Sequence, residues 1–392
     1  MTTPFRLDED DAVGLVMHKH HLLRDQREAG VLSVTDDLVG LHATSAVSPF
    51  LQLRARIRDF QPAQLDAVLD AGRAARVPCM RNTLFIESAD HVPVVLAATR
   101  RLKEQGRGRY LAANGLTPRL YERLAERVDG ALRGKARDVR ELQAALKVKV
   151  SLSPVVILMC DDARLVRWKG PGGWRGGRPT YRRFEEVIPG PVEEWDEPAA
   201  LSKLVDWYVR RYGPVTEEDI VWWTGLPVGL IREAVTSSGM LVAARVGSSK
   251  RDFLIHERDL AHLQRQPRPS AEHLSLLPVL DPYLQGYRHR ERSIDRRHER
   301  LVVDRGGNVT SVILVAGRVA GVWDFIDGAT PEVRLFFFER QTRVTRRRVH
   351  ALAAEIGEFL SQRLVRSVEV DAMRPLIDRR AGAVVSPLRD GA

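Results

Sequence analysis

The stretch Leu241-Val242-Ala243-Ala244-Arg245-Val246, followed by Gly247-Ser248-Ser249 and then Asp252-Phe253-Leu254-Ile255, reads as two short strands joined by a turn. Upstream of it, residues 199–212 have helical spacing, Thr216 is a good N-cap for a short second helix, and residues 228–236 supply another. Helices followed by a paired ribbon are the plan of a winged helix, in which a helix-turn-helix carries a β-hairpin wing.

The same plan can be read twice more toward the N-terminus. Residues 8–28 have helical spacing, with Val13, Val16, Met17 and Leu23 apolar. A second helix is expected to start at Thr35 as N-cap, because Asp36 and Asp37 then fall in the first turn, where the helix dipole favours acids. Residues 62–71 form another. Residues 77–81 and 84–87 flank Asn82-Thr83, a gap of hairpin size. The middle unit has helices at 118–128 and 138–147, and strands at 164–168 and 180–184.

Beyond about residue 270 the pattern changes to strand-like alternation at 301–303, 309–315, 319–323 and 333–338, with Arg305-Gly306-Gly307-Asn308 as a tight turn. A helix at 346–363 follows, and the last residues read as frayed. The expected fold class is α+β: three tandem winged helix-turn-helix units at 1–105, 106–195 and 196–268, and a C-terminal β-rich, barrel-like domain at 269–392.

Composition narrows the function classes. A chain of 392 residues, 44% hydrophobic and 29% charged, has the make-up of a globular protein, and no apolar run is long enough to span a bilayer. Cys79 and Cys160 are the only cysteines, too few for a disulfide framework or a structural zinc site, so a cytoplasmic protein without a structural metal is expected. The absence of an obvious dimerisation helix points to a monomer.

The net charge of +10 favours a polyanionic partner. Of 61 basic residues 8 are lysine, and an arginine excess of that kind also follows from a GC-rich genome, so position carries more information than the total. Residues 163–184 hold seven cations (Arg164, Arg167, Lys169, Arg175, Arg178, Arg182 and Arg183) and no acid, interleaved with Trp168, Trp174 and Tyr181. Clustered cations neutralise phosphates and release counterions, so Lys169, Arg175, Arg178 and Arg182 are candidate nucleic-acid contacts.

Four short motifs occur in a particular order: Leu41-His42-Ala43-Thr44, Tyr212-Gly213-Pro214-Val215-Thr216-Glu217-Glu218-Asp219, Leu277-Pro278-Val279-Leu280-Asp281-Pro282-Tyr283 and Gly317-Arg318-Val319-Ala320-Gly321-Val322-Trp323. In that order they resemble the AlkZ-like, or YcaQ-like, winged-helix DNA glycosylases. The resemblance implies excision of alkylated bases from duplex DNA, without a cofactor. It places catalysis on a polar-x-polar motif near the end of the first helix-turn-helix, often glutamine-x-glutamine or glutamine-x-acid. Here the matching residues are His42 and Thr44, a departure that suits the branch linked to self-resistance against bulky guanine-alkylating antibiotics. Arg54 and Arg56 follow that motif, and Arg81 lies in a stretch similar to the family's arginine-x-threonine-leucine strand. Arg288 and Arg290 follow the third motif, and the turn from Arg305 to Asn308 matches a hairpin expected to probe a groove. All six, with Asn308, are candidate DNA contacts.

Geometry sets a condition on this expectation. Residues two apart on an α-helix point roughly 200° away from each other. His42 and Thr44 can serve one substrate atom only where the helix has ended, which Gly40 before them and Pro49 after them would favour. A competing expectation is a non-catalytic winged-helix protein, either a transcriptional regulator or a factor that masks lesions. It differs in binding DNA without releasing a base.

Overall fold

The computed structural model describes residues 4–23, 29–188, 190, 193–261, 268–373 and 375–376. All three expected hairpins are present. Ala74–Pro78 pairs antiparallel with Leu84–Ser88, Leu165–Trp168 with Thr180–Arg183, and Leu241–Val246 with Phe253–His256. Helices precede each one. Glu9–Lys19, Val31–Asp37, Ser48–Arg54 and Pro62–Asp70 come before the first hairpin. Pro118–Ala131, Val139–Leu146 and Ser153–Asp161 come before the second, and Glu197–Tyr212, Glu217–Thr224 and Val228–Ser237 before the third.

Local chemistry explains several of these starts. Thr216 and Asp219 cap each other's backbone N–H groups, as do Asp138 and Glu141. Thr35 does not cap a helix. It lies inside Val31–Asp37, with its hydroxyl donating to the Val31 carbonyl at 2.8 Å, and the N-cap is Gly30. The buried stripe of Val31, Val34 and Leu38 begins ahead of Thr35, so burial overrode the capping preference. The first helix ends at Lys19; positions 24–28 of the expected helix and the chain end from 377 lie outside the described residues.

Four short strands escape the sequence pattern, two of them, Leu274–Leu277 and Arg366–Glu369, at the edges of the C-terminal sheet. Phe5–Leu7 adds parallel to Leu241–Val246, tying the start of the chain to the third hairpin. Leu41–His42 pairs with Leu84–Ser88, placing Leu41 opposite Ile86 and His42 opposite Phe85.

The C-terminal part is an open sheet, not a barrel. Its order is Leu274–Leu277, Val312–Val315, Arg318–Ile326, Glu332–Phe337 and Arg366–Glu369, and the two outer strands do not meet. The helix Arg343–Ser361 buries Val349, Ala353 and Ile356 against Ile313, Trp323, Val333 and Leu335, so one face is covered without closure. Residues 301–303, expected as a strand, end a short helix, Glu299–Val302, and only Val303 bridges to Val309. An apolar run that short carries no period by which strand and helix can be told apart.

One hydrophobic core draws residues from all four expected segments, including Val13, Val77, Tyr208, Leu277 and Val312. At its edge Arg56 is completely buried. Its guanidinium donates to both oxygens of buried Asp281 (2.9 and 2.7 Å), to the His20 carbonyl (2.9 Å) and to the Gln52 carbonyl (3.0 Å). Arg56 is therefore not a DNA contact, because every donor in use points at protein oxygen and no part of the residue meets solvent. Gly317 makes another close approach. Its φ is +76°, and a Cβ there would fall 2.3 Å from Val13 Cγ1 and 2.8 Å from the Met17 sulfur.

Two stability measurements follow. Arg56→Met strands a buried carboxylate and should cost about 3–5 kcal/mol in urea unfolding, whereas adding Asp281→Leu to it should recover a substantial part of that loss. Gly317→Ala should destabilise by about 1–3 kcal/mol, because both its backbone angle and its space are wrong for a side chain.

Candidate active site

Within a few residues the chain leaves a helix and enters a strand. Leu38 closes the helix, and Val39 (φ 48°) and Gly40 (φ 92°) are both left-handed. Glycine is required at 40, where a Cβ would lie 2.1 Å from Glu87 Oε1. Leu41–His42 then joins the first hairpin, the Ala43 N–H donates to the Leu84 carbonyl, and helix resumes only at Ser48. Residues 40–46 are thus non-helical, as the pairing of His42 with Thr44 requires.

His42 is held from several sides. Its carbonyl accepts from Gln52 Nε2 at 2.9 Å, and Gln52 in turn offers its own carbonyl to Arg56. One residue therefore links the buried ion pair to the candidate catalytic strand. The imidazole is 6% exposed, its ring centroid lies 5.0 Å from that of Phe85, and Nε2 stands 3.5 Å from Thr83 Oγ1. Burial, and secondarily the positive charge of Arg81, push its pKa down to about 4, so the ring is neutral at neutral pH.

The imidazole lines a narrow cleft assembled from three parts of the chain. His42, Arg81, Thr83 and Phe85 come from the first hairpin region, Tyr212 and Trp223 from the helices before the third hairpin, and Leu280, Pro282, Gln285 and Gly286 from the segment entering the sheet. Its free volume of about 20 Å³ suits a single water molecule. Hydrogen bonds lock these walls together: the Tyr212 hydroxyl donates to the Leu38 carbonyl (2.6 Å), and the Tyr287 hydroxyl donates to the Tyr212 carbonyl (2.8 Å). Asp219 is buried and accepts from the Thr216, Arg288 and His289 N–H groups. The second sequence motif and the residues just after the third therefore join the helices before the third hairpin to the floor of the cleft.

Arg81 stands at this cleft in an unusual conformation. Both Arg81 (φ 54°) and Asn82 (φ 52°) are left-handed, and the guanidinium lies 3.9 Å from the centroid of Trp222. Such backbone persists only where its surroundings hold it, and here Gly225 and Trp222 pack directly against it. The turn from Arg305 to Asn308 reaches the same tryptophan through Gly307, where a Cβ would fall 2.3 Å from the ring. Asn308 closes that turn by donating its amide to Asp304 at 3.0 Å, and Arg305 is exposed.

The remaining candidate contacts are distributed unevenly. Arg288 is exposed, with its guanidinium 5.7 Å from the Trp222 ring. Arg290 is 5% exposed and donates to the Leu284 and Gly307 carbonyls, so it builds the turn and does not meet DNA. Arg54 is half-buried over Phe359 and 3.5 Å from Glu355. In the basic hairpin, acids distant in sequence approach two of the cations, Asp70 pairing with Lys169 (2.7 Å) and Asp138 lying 4.0 Å from Arg178, while Glu186, four residues on, lies 3.9 Å from Arg182. Arg175 is exposed above Trp174, which packs between Phe50 and Phe359 and so anchors the basic loop to the first helices and the C-terminal helix.

Thr44 is exposed on the bend after the strand and does not line the cleft. Thr83, Gln52, Tyr212 and Gln285 surround the site instead; the sequence motifs include Tyr212 and the hairpin gap includes Thr83, but none of the four is assigned a role there. Thr83 sits in the expected hairpin gap, but no spacing rule brings a residue 41 positions away against His42.

The model of the family described as "DNA glycosylase AlkZ-like" matches residues 35–361, a span that includes every cleft residue. No protein of curated function matches the sequence. Among solved structures, the Streptomyces sahachiroi DNA glycosylase AlkZ is similar with a TM-score of 0.76 and 20% identity, over 93% of this chain and 100% of that one. At that identity the likeness shows a shared fold, and the family match covers most of the chain. The chain belongs to the AlkZ-like family of DNA glycosylases.

Proposed function

We propose that the protein is a monofunctional glycosylase that hydrolyses the N-glycosidic bond of alkylated purines, bulky N7-substituted guanines foremost, in duplex DNA. It would start base excision repair, acting as a monomer in the cytoplasm, and self-resistance to a guanine-alkylating antibiotic fits the His-x-Thr motif. The observation that carries the reading is a neutral His42 held beside Arg81 in a cleft sized for one water.

A guanine alkylated at N7 is already cationic and leaves readily. The enzyme has only to place a water and remove its proton as the bond opens. The water oxygen bonds to the sugar carbon, its proton passes to the imidazole, and the purine departs neutral with the electrons of the glycosidic bond. His42 is the base, because an uncharged ring has a lone pair to receive that proton. Thr44, exposed two residues on, is open to the DNA and would help to hold the sugar or the water. No lysine lines the cleft, which favours a hydrolase over a Schiff-base mechanism.

The three helix-and-hairpin groups are read as winged-helix units presenting a basic surface. Exposed Arg175, Arg178, Arg288 and Arg305 would engage phosphates, together with the partly exposed Arg54, Arg81, Lys169 and Arg182.

Incubating the protein with duplex DNA alkylated at guanine N7 should yield free base and alkali-labile abasic sites. His42→Ala should slow release by about 10²–10⁴-fold while DNA binding stays within a few-fold. Binding without release would identify a lesion-masking factor, and indifference to the lesion would identify a regulator. The pH dependence has a definite sign. His42 titrates at about 4 when folded and about 6.5 when unfolded, so its neutral form, and the stability linked to it, is fully present above 6.5. That linked stability declines as pH falls from 6.5 and is gone below about 4. The release rate should hold from pH 7 to about 5 and fall as pH drops through about 4; a loss already between 7 and 6 would contradict a buried neutral imidazole.

A further inference from the structure

We infer that Thr83 is a positioning residue for the hydrolysis, fixing His42 as the tautomer that carries its proton on Nε2 and its lone pair on Nδ1. The inference rests on the glycosylase reading above and concerns how the base is prepared.

The argument is a count of donors and acceptors around the cleft. Thr83 Oγ1 donates its single proton to the Met80 carbonyl at 3.0 Å. Toward His42 Nε2, 3.5 Å away, that oxygen can therefore only accept, so Nε2 must be the protonated nitrogen. The separation is long for a hydrogen bond, as is common before a substrate closes a site. Nδ1 is then left as the acceptor. It is buried and has no protein partner, although the ring is 6% exposed. A neutral ring with one nitrogen facing a fixed hydroxyl and the other unpaired keeps a lone pair free to take a proton once a water reaches it.

No other polar side chain lining the cleft is available for this task. The Tyr212 hydroxyl donates to the Leu38 carbonyl. The Gln285 side chain donates to the Gly307 carbonyl and accepts from the Val309 N–H. Arg81 has no acceptor to offer. Thr83 is itself set by geometry: it follows left-handed Arg81 and Asn82, and both its N–H and its hydroxyl donate to the Met80 carbonyl. The tight turn thus places the threonine oxygen opposite the imidazole with its proton already committed elsewhere.

Two measurements on the full-length protein test this. Long-range ¹H–¹⁵N spectra of protein labelled with [¹⁵N]histidine, with the His42 signals identified by their loss in His42→Ala, should show Nε2 protonated in the wild type. They should show a mixture of tautomers in Thr83→Val and recovery in Thr83→Ser. Single-turnover release from N7-alkylated duplex should fall by at least about tenfold in Thr83→Val, with DNA affinity and unfolding midpoint close to wild type, and be largely restored in Thr83→Ser. A wild-type His42 protonated on Nδ1, or a Thr83→Val protein with unchanged tautomer and rate, would overturn the inference. Equal losses in the valine and serine variants would overturn it too, since they would reveal a role in packing alone. If the wild type releases no base, the glycosylase reading fails, and the spectra still decide the tautomer.

Discussion

The buried pair of Arg56 and Asp281 is the contact on which the rest of the architecture turns. Two ions removed from water cost far more than one salt bridge returns unless the remaining hydrogen-bonding capacity is also used. Here it is used: the guanidinium also serves the carbonyls of His20 and Gln52, and the Asp281 carboxylate also accepts the Tyr283 N–H. The pair therefore specifies one relative placement of the N-terminal helices and the segment entering the sheet. Through Gln52, whose side chain holds the His42 carbonyl, the same placement is passed to the candidate catalytic strand.

This arrangement determines the electrostatics of the cleft. Packing from the first hairpin, the helices before the third hairpin and the sheet entry leaves His42 little contact with bulk solvent, and Arg81 nearby adds positive charge; both effects disfavour imidazolium. Arg81 is itself constrained by two left-handed residues, a glycine at 225 and the Trp222 ring. A cation held in one place in this way needs little reorganisation to engage an anion. The aromatic group of Tyr208, Tyr212 and Trp223 forms the rigid wall behind it, with ring centroids 4.6 to 4.7 Å apart in the stacked pairs.

The basic surface is more structured than its charge count suggests. Acids from distant segments approach Lys169 and Arg178, Glu186 lies one turn on from Arg182, and Arg56 and Arg290 serve the protein's own carbonyls. Exposed ion pairs contribute little to stability and exchange readily for phosphate. The hairpin can thus be held in place by Trp174 and still yield its cations to a polyanion.

Much of this was legible in the residues themselves. The three hairpins and their long helices follow from periodicity, the capping box of Thr216 and Asp219 from local chemistry, and the family from the order of short motifs. These signals are local, so they survive without knowledge of distant contacts. The strand Leu41–His42, the open sheet, the burial of Arg56 and Arg290, and the meeting of His42 with Thr83 were not legible. Each depends on which surfaces the chain brings together over tens or hundreds of residues. A guanidinium reads alike in sequence whether it faces solvent or a carboxylate, and a histidine shows its proton-accepting state only once its neighbours have excluded water.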